Sequence, residues 1–263
     1  MGVINVTPDS FSDGGLALDP ARAADLAVAM EAAGADLIDI GAESTRPGAI
    51  PVGTADEMAR VRPVLQAVAA RVRIPISIDT YKCEVADLAL AEGASIVNDI
   101  SGLQYDPRLG PLTAARGAPI VLMHTRGRPQ DMYAHAAYGD IVGDVAADLR
   151  QAAGRALTAG IGAASILIDP GLGFAKHASQ SLAVLAGLDR LAALGFPLLV
   201  GPSRKSFLAA ATGALEPAER DWPTAAAVTA AVLGGAHIVR VHRVAEMVHV
   251  VRVADAIRDA SGA

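Results

Sequence analysis

The amino-acid sequence predicts a single-domain α/β protein with the architecture of a TIM-type (β/α)8 barrel. The chain has 263 residues, close to the roughly 250 residues that such a barrel usually contains. Eight short apolar segments alternate with segments of helical periodicity along the chain. The apolar segments are unbroken, as expected for parallel strands that are covered on both faces. We therefore assign residues 1–263 to one barrel domain, with an open doubly wound sheet as the alternative.

The first half of the chain supplies five of the predicted strands. Asp19 and Pro20 indicate where the first helix begins, because Asp is a favoured N-cap and Pro fits the first helical turn. Gly34 indicates where this helix ends. The first strand is predicted at the start of the chain. The other strands are predicted at residues 36–41, 75–80, 95–99 and 119–124, and the later helices at 55–72, 82–91 and 109–116.

The second half begins with a segment, residues 125–141, that is long for a loop. A loop of this length is expected to be a functional lid or a disordered segment. Three further strands follow it, each with helical periodicity behind it. The strands are predicted at 165–169, 197–201 and 237–241, and the helices at 142–159, 180–194, 205–211, 224–233 and 245–260.

The amino-acid composition limits the kinds of binding partner and the cellular location that we expect. The formal net charge is -6, which argues against nucleic acid or an anionic membrane as a partner. An anionic substrate would need a local cluster of basic groups. The single cysteine, Cys83, excludes an intramolecular disulfide and multi-cysteine metal sites. No signal peptide or run of about 20 apolar residues is present, so we expect a cytoplasmic protein.

Polar side chains are concentrated where the predicted strands end. In a (β/α)8 barrel all carboxyl ends of the strands lie on one face, which carries the active site. The amino ends of the same strands carry mostly Ala, Pro and Gly. This asymmetry predicts a site at the carboxyl-end face, formed by Asn5, residues 43–46, Asp79, Asn98, His124, Asp169, residues 203–205, Arg240 and His242.

Two carboxylates and an amide, from Asp79, Asp169 and Asn98, form one chemical group at this face. A carboxylate accepts two parallel N–H bonds, so the group suits a flat heterocycle with several N–H edges. The alternative is that each Asp is the N-cap of the helix after its strand. Three such groups at the ends of nearby strands favour a ligand site.

A second group is suited to phosphate oxygens, because it consists of hydrogen-bond donors from the first, second and eighth strands. Its members are Asn5, Thr45, Arg240 and His242. The alternative for Arg240 is a simple ion pair with an acidic neighbour. Ser203 is expected to cap the helix after the seventh strand, whose free N–H groups could bind an anion. The histidines lack metal-ligand spacing, which disfavours zinc, whereas magnesium held by oxygens remains compatible.

With these residues assembled, the chain resembles the dihydropteroate synthase family, whose members are pterin-binding (β/α)8 barrels of folate synthesis. The resemblance covers nearly the whole chain, and its first, second and sixth segments are the most specific. The segments are residues 5–15, 41–48 (Gly-Ala-Glu-Ser-Thr-Arg-Pro-Gly), 77–80, 98–100, 169–176, 203–208 and 240–242.

The resemblance implies a transferase that condenses (7,8-dihydropterin-6-yl)methyl diphosphate with 4-aminobenzoate and releases diphosphate. It implies a magnesium ion with Asn5 as a ligand, a homodimer formed by helices on the outer wall, and sensitivity to sulfonamides. The pterin ring would be held by Asp79, Asn98, Asp169 and Lys205. The diphosphate would be held by Asn5, Thr45, Arg240 and His242.

The resemblance also implies an aminobenzoate pocket and a set of catalytic groups. The pocket would be formed by Phe11, Arg46, Pro47, Phe174 and Ser203. The catalytic groups would be Asp13, Lys205, Arg240 and His242, with Asp13 near the reacting methylene. Two positions depart from the family pattern: Ala175 stands where Gly is usual, and Arg243 where Asp is common. A pterin-dependent methyltransferase barrel and a catalytically silent pterin-binding paralogue are the alternatives.

Overall fold

The computed structural model describes residues 1–6, 19–213 and 215–260 of the chain. Within these residues eight short parallel strands alternate with helices, close to the predicted positions. The strands are β1 (Gly2–Asn5), β2 (Ile38–Gly41), β3 (Ile76–Asp79), β4 (Ile96–Asp99), β5 (Ile120–Met123), β6 (Ile166–Asp169), β7 (Leu199–Val200) and β8 (Ile238–Val239).

The sheet closes on itself. Strands β1 to β6 pair in chain order, and β7 pairs with β8. A parallel bridge between Ile168 and Leu198 joins β6 to β7, and a second bridge between Gly2 and Val241 joins β8 to β1. The amide of Val241 donates to the carbonyl of Met1 at 2.9 Å across this second seam. The predicted (β/α)8 barrel is confirmed, and the open-sheet alternative is wrong.

The helices surround the barrel as expected for this fold. The N-cap of the first helix is confirmed, because the amide of Ala21 donates to Asp19 Oδ1 at 3.1 Å and Pro20 is the first helical residue. The helices are α1 (Pro20–Ala32), α2 (Thr54–Ala69), α3 (Cys83–Ala91), α4 (Leu109–Ala115), α5 (Ile141–Thr158), α6 (Ala178–Ala186), α7 (Leu188–Ala192), α8 (Ala209–Thr212), α9 (Asp221–Leu233) and α10 (Val244–Ala260). No helix in these parts of the chain has the length and apolarity needed to cross a bilayer.

The predicted helix at 180–194 is divided into α6 and α7. The division occurs at Gly187, where a Cβ atom would lie 3.0 Å from the side chain of Val142 on α5. A glycine at this point allows α5 to approach closely, and it weakens helical continuity. Periodicity alone could not reveal this break, because apolar residues continue at helical spacing on both sides.

The long segment between β5 and α5 is packed against its neighbours. It contains a 3-10 helix at Met132–His135, and the side chain of Met132 is buried. The guanidinium of Arg128 lies over the ring of Tyr105, 3.9 Å from its centroid. The carbonyl of Pro129 accepts a hydrogen bond from the amide of Gly48 at 2.9 Å. Of the two expectations for this segment, disorder is therefore wrong.

The left-handed backbone and close packing of Gly171 make this residue a test of how the segments after β5 and β6 fit together. Gly171 has φ 63°, and a Cβ atom there would lie 2.0 Å from the carbonyl oxygen of His124. We expect Gly171→Ala to lower the free energy of unfolding by about 3 kcal/mol or more. The cost of a left-handed conformation for alanine and the cost of overpacking against the His124 carbonyl add together. Urea unfolding measures the difference.

Gly195→Ala is the matched control, because Gly195 has φ 80° and open space around its Cβ position. It should lower the free energy of unfolding only by the cost of a left-handed conformation for alanine, about 1–2 kcal/mol. Equal losses for the two variants would contradict the proposed contact between Gly171 and His124.

Candidate active site

One cavity of about 360 Å³ lies at the carboxyl-end face of the barrel. Every strand, or the segment that follows it, contributes to the lining. Of the residues to which the family resemblance assigns a role, the twelve within the described part of the chain all line it: Asn5, Thr45, Arg46, Pro47, Asp79, Asn98, Asp169, Phe174, Ser203, Lys205, Arg240 and His242. His124, predicted at the same face, is not part of the lining, and its ring contacts Lys176 and Asp148 instead. The two other predicted residues, Phe11 and Asp13, lie outside the described residues.

Strand register explains why residues far apart in sequence meet here. Asn5 pairs with Gly41, Gly41 with Asp79, and Asp79 with Asn98, so four strands contribute to one row. Registered residues on neighbouring strands face the same side of the sheet. Gly41 leaves room in this row, because a Cβ atom there would lie 3.2 Å from the Cβ of Asp79.

The floor of the cavity contains a network that sequence reasoning missed. Asp39 is fully buried, and its Oδ2 accepts a 2.7 Å hydrogen bond from Nε of Arg240 and a 3.2 Å bond from Nδ2 of Asn98. Nη2 of Arg240 also donates to Asp79 Oδ2 at 2.9 Å. The available signal was the position of Asp39, two residues before Gly41 on the inward side of an otherwise apolar strand.

Arg240 therefore forms the acidic pairings that the sequence left as an alternative. Its Nε and Nη2 atoms bind Asp39 and Asp79, and within the described residues its Nη1 atom has no protein acceptor. These carboxylates raise the pKa of Arg240, although burial opposes them. The predicted contact between Arg240 and diphosphate stays a prediction, and Nη1 is the donor left for it.

Burial controls the charge of the groups on this floor. It raises the pKa of Asp79 to about 7, against the opposing effect of Arg240. It also raises the pKa of Asp169, with Lys205 opposing. In the same environment burial lowers the pKa of Lys205 to about 8. Asp79 and Lys205 can therefore change protonation near neutral pH when a ligand alters their surroundings.

Asp169, the last residue of β6, and Lys205, in the segment after β7, influence each other electrostatically. Lys205 Nζ donates to the carbonyl of Leu172 at 2.5 Å and lies 4.8 Å from the centre of the Phe174 ring. Asp169 Oδ1 accepts from the amide of Gly171 at 2.7 Å, which forms a local turn.

The helix-cap alternative for the two aspartates is wrong. The N-cap of α3 is Lys82 rather than Asp79, and the N-cap of α6 is His177 rather than Asp169.

The segment that carries Phe174 is fixed by the buried Lys176. Its Nζ atom is within hydrogen-bond distance of His124 Nδ1 at 2.7 Å and of the carbonyls of Gly171 and Phe174, both at 3.0 Å. Burial lowers the pKa of Lys176 well below its usual value. Burial lowers the pKa of His124 to about 4, so its imidazole is neutral and can accept from Lys176. Ala175 takes φ 47°, a conformation that favours glycine. This explains why a glycine is usual at that position.

Ser203 and His242 contact each other directly. Ser203 Oγ lies 2.9 Å from His242 Nδ1 and accepts the His242 amide at 3.2 Å. Burial, with the nearby Arg240, lowers the pKa of His242 to about 3, so the ring is neutral. In the tautomer in which Oγ donates to Nδ1, His242 Nε2 carries the ring proton.

The expectation that Ser203 caps a helix is wrong. The cap of the 3-10 helix at Ser206–Leu208 is Lys205, and no side chain bonds there. The hydroxyl of Ser203 is instead used by His242.

Further lining residues come from loops that sequence periodicity does not describe. Met132 and Tyr133 reach the cavity from the β5–α5 segment, and Arg220 reaches it from the segment before α9. The ring of Tyr133 stacks on His177 with 5.8 Å between centroids. Among the residues that the structure describes, no group of three or more His, Cys, Asp or Glu side chains could hold a metal ion.

The raised pKa of Asp79 predicts a pH-dependent contribution to stability. Between about pH 4 and pH 7 the folded chain retains a proton on Asp79 that the unfolded chain has released, so stability falls as pH rises. Asp79→Asn lacks this effect. We expect its stability relative to the native chain to increase across this window by on the order of 1 kcal/mol or more.

Urea unfolding at pH 4.5 and pH 7.5 would measure this difference at about the two ends of the window. Asp36→Asn, which changes an exposed carboxyl just before β2, is the control. A difference between Asp79→Asn and the native chain that does not vary with pH would contradict a raised pKa at Asp79.

Comparison with known proteins agrees with this geometry. The model of the pterin binding enzyme family matches residues 1–242. A dihydropteroate synthase of Synechocystis is 47% identical over 257 residues, which cover 98% of this chain and 89% of that protein.

Two solved structures have the same fold. Yersinia pestis dihydropteroate synthase, in a sulfonamide drug complex, has a TM-score of 0.94 at 40% identity and covers 98% of this chain and 94% of its own. Dihydropteroate synthase from Xanthomonas albilineans, in complex with 7,8-dihydropteroate, has a TM-score of 0.87 at 37% identity, with 98% and 92% covered. This chain therefore belongs to the family of pterin-binding enzymes, as its resemblance to that family predicted.

Proposed function

We infer that this enzyme catalyses the dihydropteroate synthase reaction, in which (7,8-dihydropterin-6-yl)methyl diphosphate and 4-aminobenzoate give 7,8-dihydropteroate and diphosphate. One observation carries the inference beyond family membership. The side chains suited to a flat N–H-rich ring and those suited to phosphate oxygens open into the same cavity of about 360 Å³. A ring and a diphosphate joined by one methylene group require such an arrangement.

The ring would be recognised at the buried end of the cavity. Asp79 and Asp169 offer carboxylate oxygens to the N–H edge of an aminopyrimidinone, and such bonds are stronger in a desolvated site. Asn98 is held by Asp39 through its Nδ2 atom, so its carbonyl oxygen is free to accept. Lys205 supplies a donor for a ring carbonyl or nitrogen. Ring binding therefore offsets part of the cost of burying these groups.

The diphosphate would be held by donors from both sides of the β8–β1 seam. His242 presents a neutral Nε2–H, Arg240 presents Nη1, and Thr45 presents its hydroxyl. The carboxamide oxygen of Asn5 is the kind of ligand that magnesium prefers. Magnesium, if held between Asn5 and phosphate oxygens, would neutralise charge on the leaving diphosphate.

The aminobenzoate would occupy the outer part of the cavity. Pro47 and Phe174 provide apolar surface, and Arg46 and Ser203 provide donors for its carboxylate. The assignments of Phe11 to this pocket and of Asp13 to the region of the methylene group remain predictions. Sulfonamides would compete at this pocket, because the relative from Yersinia pestis forms a sulfonamide drug complex.

The chemistry we propose is dissociative. The C–O bond to diphosphate breaks first, and the electron-rich dihydropterin delocalises the resulting methylene cation. The amine of 4-aminobenzoate then forms the C–N bond and loses one proton to solvent or to diphosphate. No strong general base is required, and Asp13 would stabilise the cation electrostatically. Closure of the loops over the site would exclude water that could capture this cation.

Diphosphate release in a two-substrate assay tests the proposed function. We expect diphosphate release together with 7,8-dihydropteroate formation, and formation of this product should require both 4-aminobenzoate and magnesium. Asp169→Asn and Lys205→Ala should each lower kcat/KM by about 100-fold or more, because each removes a charged group from the ring site. Measurement of 7,8-dihydropteroate by mass confirms the product.

Glu84→Gln on α3 is the control variant, since this carboxylate is exposed and pairs with the exposed Arg108. Methyl transfer from a methylated folate without condensation would instead support the methyltransferase alternative. Pterin binding without any turnover would support a catalytically silent paralogue.

A homodimer formed by α9 and α10 is part of the proposal. These helices pack together, and their outer surface exposes Leu233, Val253 and Ile257 by 46%, 60% and 50%. Val253 and Ile257 are four residues apart and share a helical face. Covering these side chains would remove apolar surface from water.

Sedimentation tests the dimer. We expect a dimer for the native chain at micromolar concentration and a monomer for the double variant Val253→Glu, Ile257→Glu. Leu157→Glu on α5, where the side chain is 47% exposed, is the control. A native chain that sediments as a monomer would contradict the proposal.

We also propose that the enzyme acts in the cytoplasm. The structure is compatible with a reducing compartment, because Cys83 is a free thiol. Cell fractionation followed by the condensation assay would locate the activity, and activity confined to another fraction would contradict the proposal.

A further inference from the structure

A buried polar cluster lies at the base of the loop between β2 and α2. It consists of Glu43, Glu57, Tyr81, Lys82 and the backbone of Val52, and we call it the loop clamp. The side chains of Lys82, Glu43 and Glu57 are only 12%, 6% and 1% exposed. None of these groups is needed by the chemistry proposed above, although Glu43 reaches the cavity wall.

Lys82 connects both ends of the loop. Its Nζ atom donates to the carboxylate of Glu43 at the start of the loop and to the carbonyl of Val52 at the end, the latter at 2.7 Å. It also donates to Glu57 on α2. All three ammonium protons therefore have acceptors, as a buried ammonium requires.

Glu43 makes further contacts to both sides of the base of the loop. Its Oε2 accepts from the amide of Val52 at 2.9 Å, and its Oε1 accepts from the hydroxyl of Tyr81 at 2.7 Å. Glu57 is held in turn by the hydroxyl of Thr80 at 2.9 Å. The loop is thus closed at its base by charge-assisted bonds, which are about twice as strong as neutral ones.

The clamp lies between two parts of the proposed site. On one side, Thr80, Tyr81 and Lys82 directly follow Asp79 at the end of β3. On the other side, the enclosed loop carries Thr45, Arg46 and Pro47 to the cavity rim, where Arg46 and Pro47 are exposed. Away from the clamp the loop has one backbone bond to the β5–α5 segment, from Gly48 to Pro129 at 2.9 Å.

We propose that Glu43 and Lys82 are positioning residues that fix the loop carrying Thr45, Arg46 and Pro47 over the aminobenzoate pocket. The role of these residues in 4-aminobenzoate binding rests on the proposed function. Their role in fixing the loop does not. Loss of the clamp leaves the loop to be ordered when 4-aminobenzoate binds, and this ordering weakens binding. The ring site on the barrel floor does not depend on the loop.

Glu43→Ala tests the proposal through two readouts. Hydrogen exchange of the amides at 44–52, above all that of Val52, should become faster, while exchange in the barrel strands stays unchanged. The KM for 4-aminobenzoate should rise about tenfold. The KM for the pterin diphosphate should rise less, because the loop contributes only Thr45 to its binding and the other proposed contacts lie outside the loop.

Glu43→Gln should recover part of both effects. Its Oε1 can still accept from Val52 and Lys82, while its Nε2 can donate to the oxygen of Tyr81. Glu84→Ala, which removes an exposed carboxylate on the neighbouring α3, is the matched control and should change neither readout. Tyr81→Phe removes a single bond to Glu43 and should give a smaller effect in the same direction. It replaces Glu43→Ala if that variant does not fold.

Unchanged exchange at 44–52 in a folded Glu43→Ala protein would overturn the proposal. So would an equal rise in the KM of both substrates, because that would indicate general damage to the site. If the native chain fails to condense the two substrates, the proposed function fails, and the exchange comparison still decides whether the clamp holds the loop.

Discussion

Barrel closure is the constraint on which the site depends. Arg240 and Asp39 are 201 residues apart, and their 2.7 Å hydrogen bond forms only because β8 returns to β1. The last two strands of the barrel are short: β7 and β8 have two residues each. Closure is therefore maintained by a few backbone bonds together with the packed helices outside. The neighbouring pairing of β7 with β8 brings His242 next to Ser203, so the donors proposed for diphosphate and for aminobenzoate share one scaffold.

The polar floor has a cost in folding free energy. Asp39 Oδ1 and Ser77 Oγ are buried without a hydrogen-bond partner among the described residues, and Asp39 and Ser77 are registered neighbours on β2 and β3. Unsatisfied buried polar groups typically cost about 1–3 kcal/mol each. A barrel that served stability alone would fill these positions with apolar side chains. The floor is instead arranged for a polar ligand, which is the usual pattern at functional sites.

Much of this organisation could be predicted from the sequence, because two strong rules apply. Parallel strands bring their carboxyl ends to one face, and side chains alternate with a period of two. These rules place Asn5, Asp79 and Asn98 together without knowledge of any contact. The resemblance to a known family then assigned chemistry to residues that the rules had only grouped.

Other features depend on tertiary contacts that local patterns do not encode. The pairing of Arg240 with Asp39 requires the register across the closed seam. The use of Ser203 by His242, rather than by a helix, depends on the distance between two loops. Tyr133 and Arg220 reach the cavity from segments with irregular backbone. The break at Gly187 follows from the approach of a neighbouring helix, which periodicity along one helix cannot reveal.

The charge on the floor limits how an anionic substrate can bind. Three carboxylates, those of Asp39, Asp79 and Asp169, surround two cations, Lys205 and Arg240, and His242 is neutral. The floor thus carries no excess positive charge, even when Asp79 is protonated. A diphosphate needs positive charge near its oxygens, because burial of an uncompensated anion is costly. In the function that we propose, magnesium held by Asn5 would supply that charge, and Arg240 and His242 would donate to the diphosphate oxygens. The buried carboxylates of the floor would then select the ring.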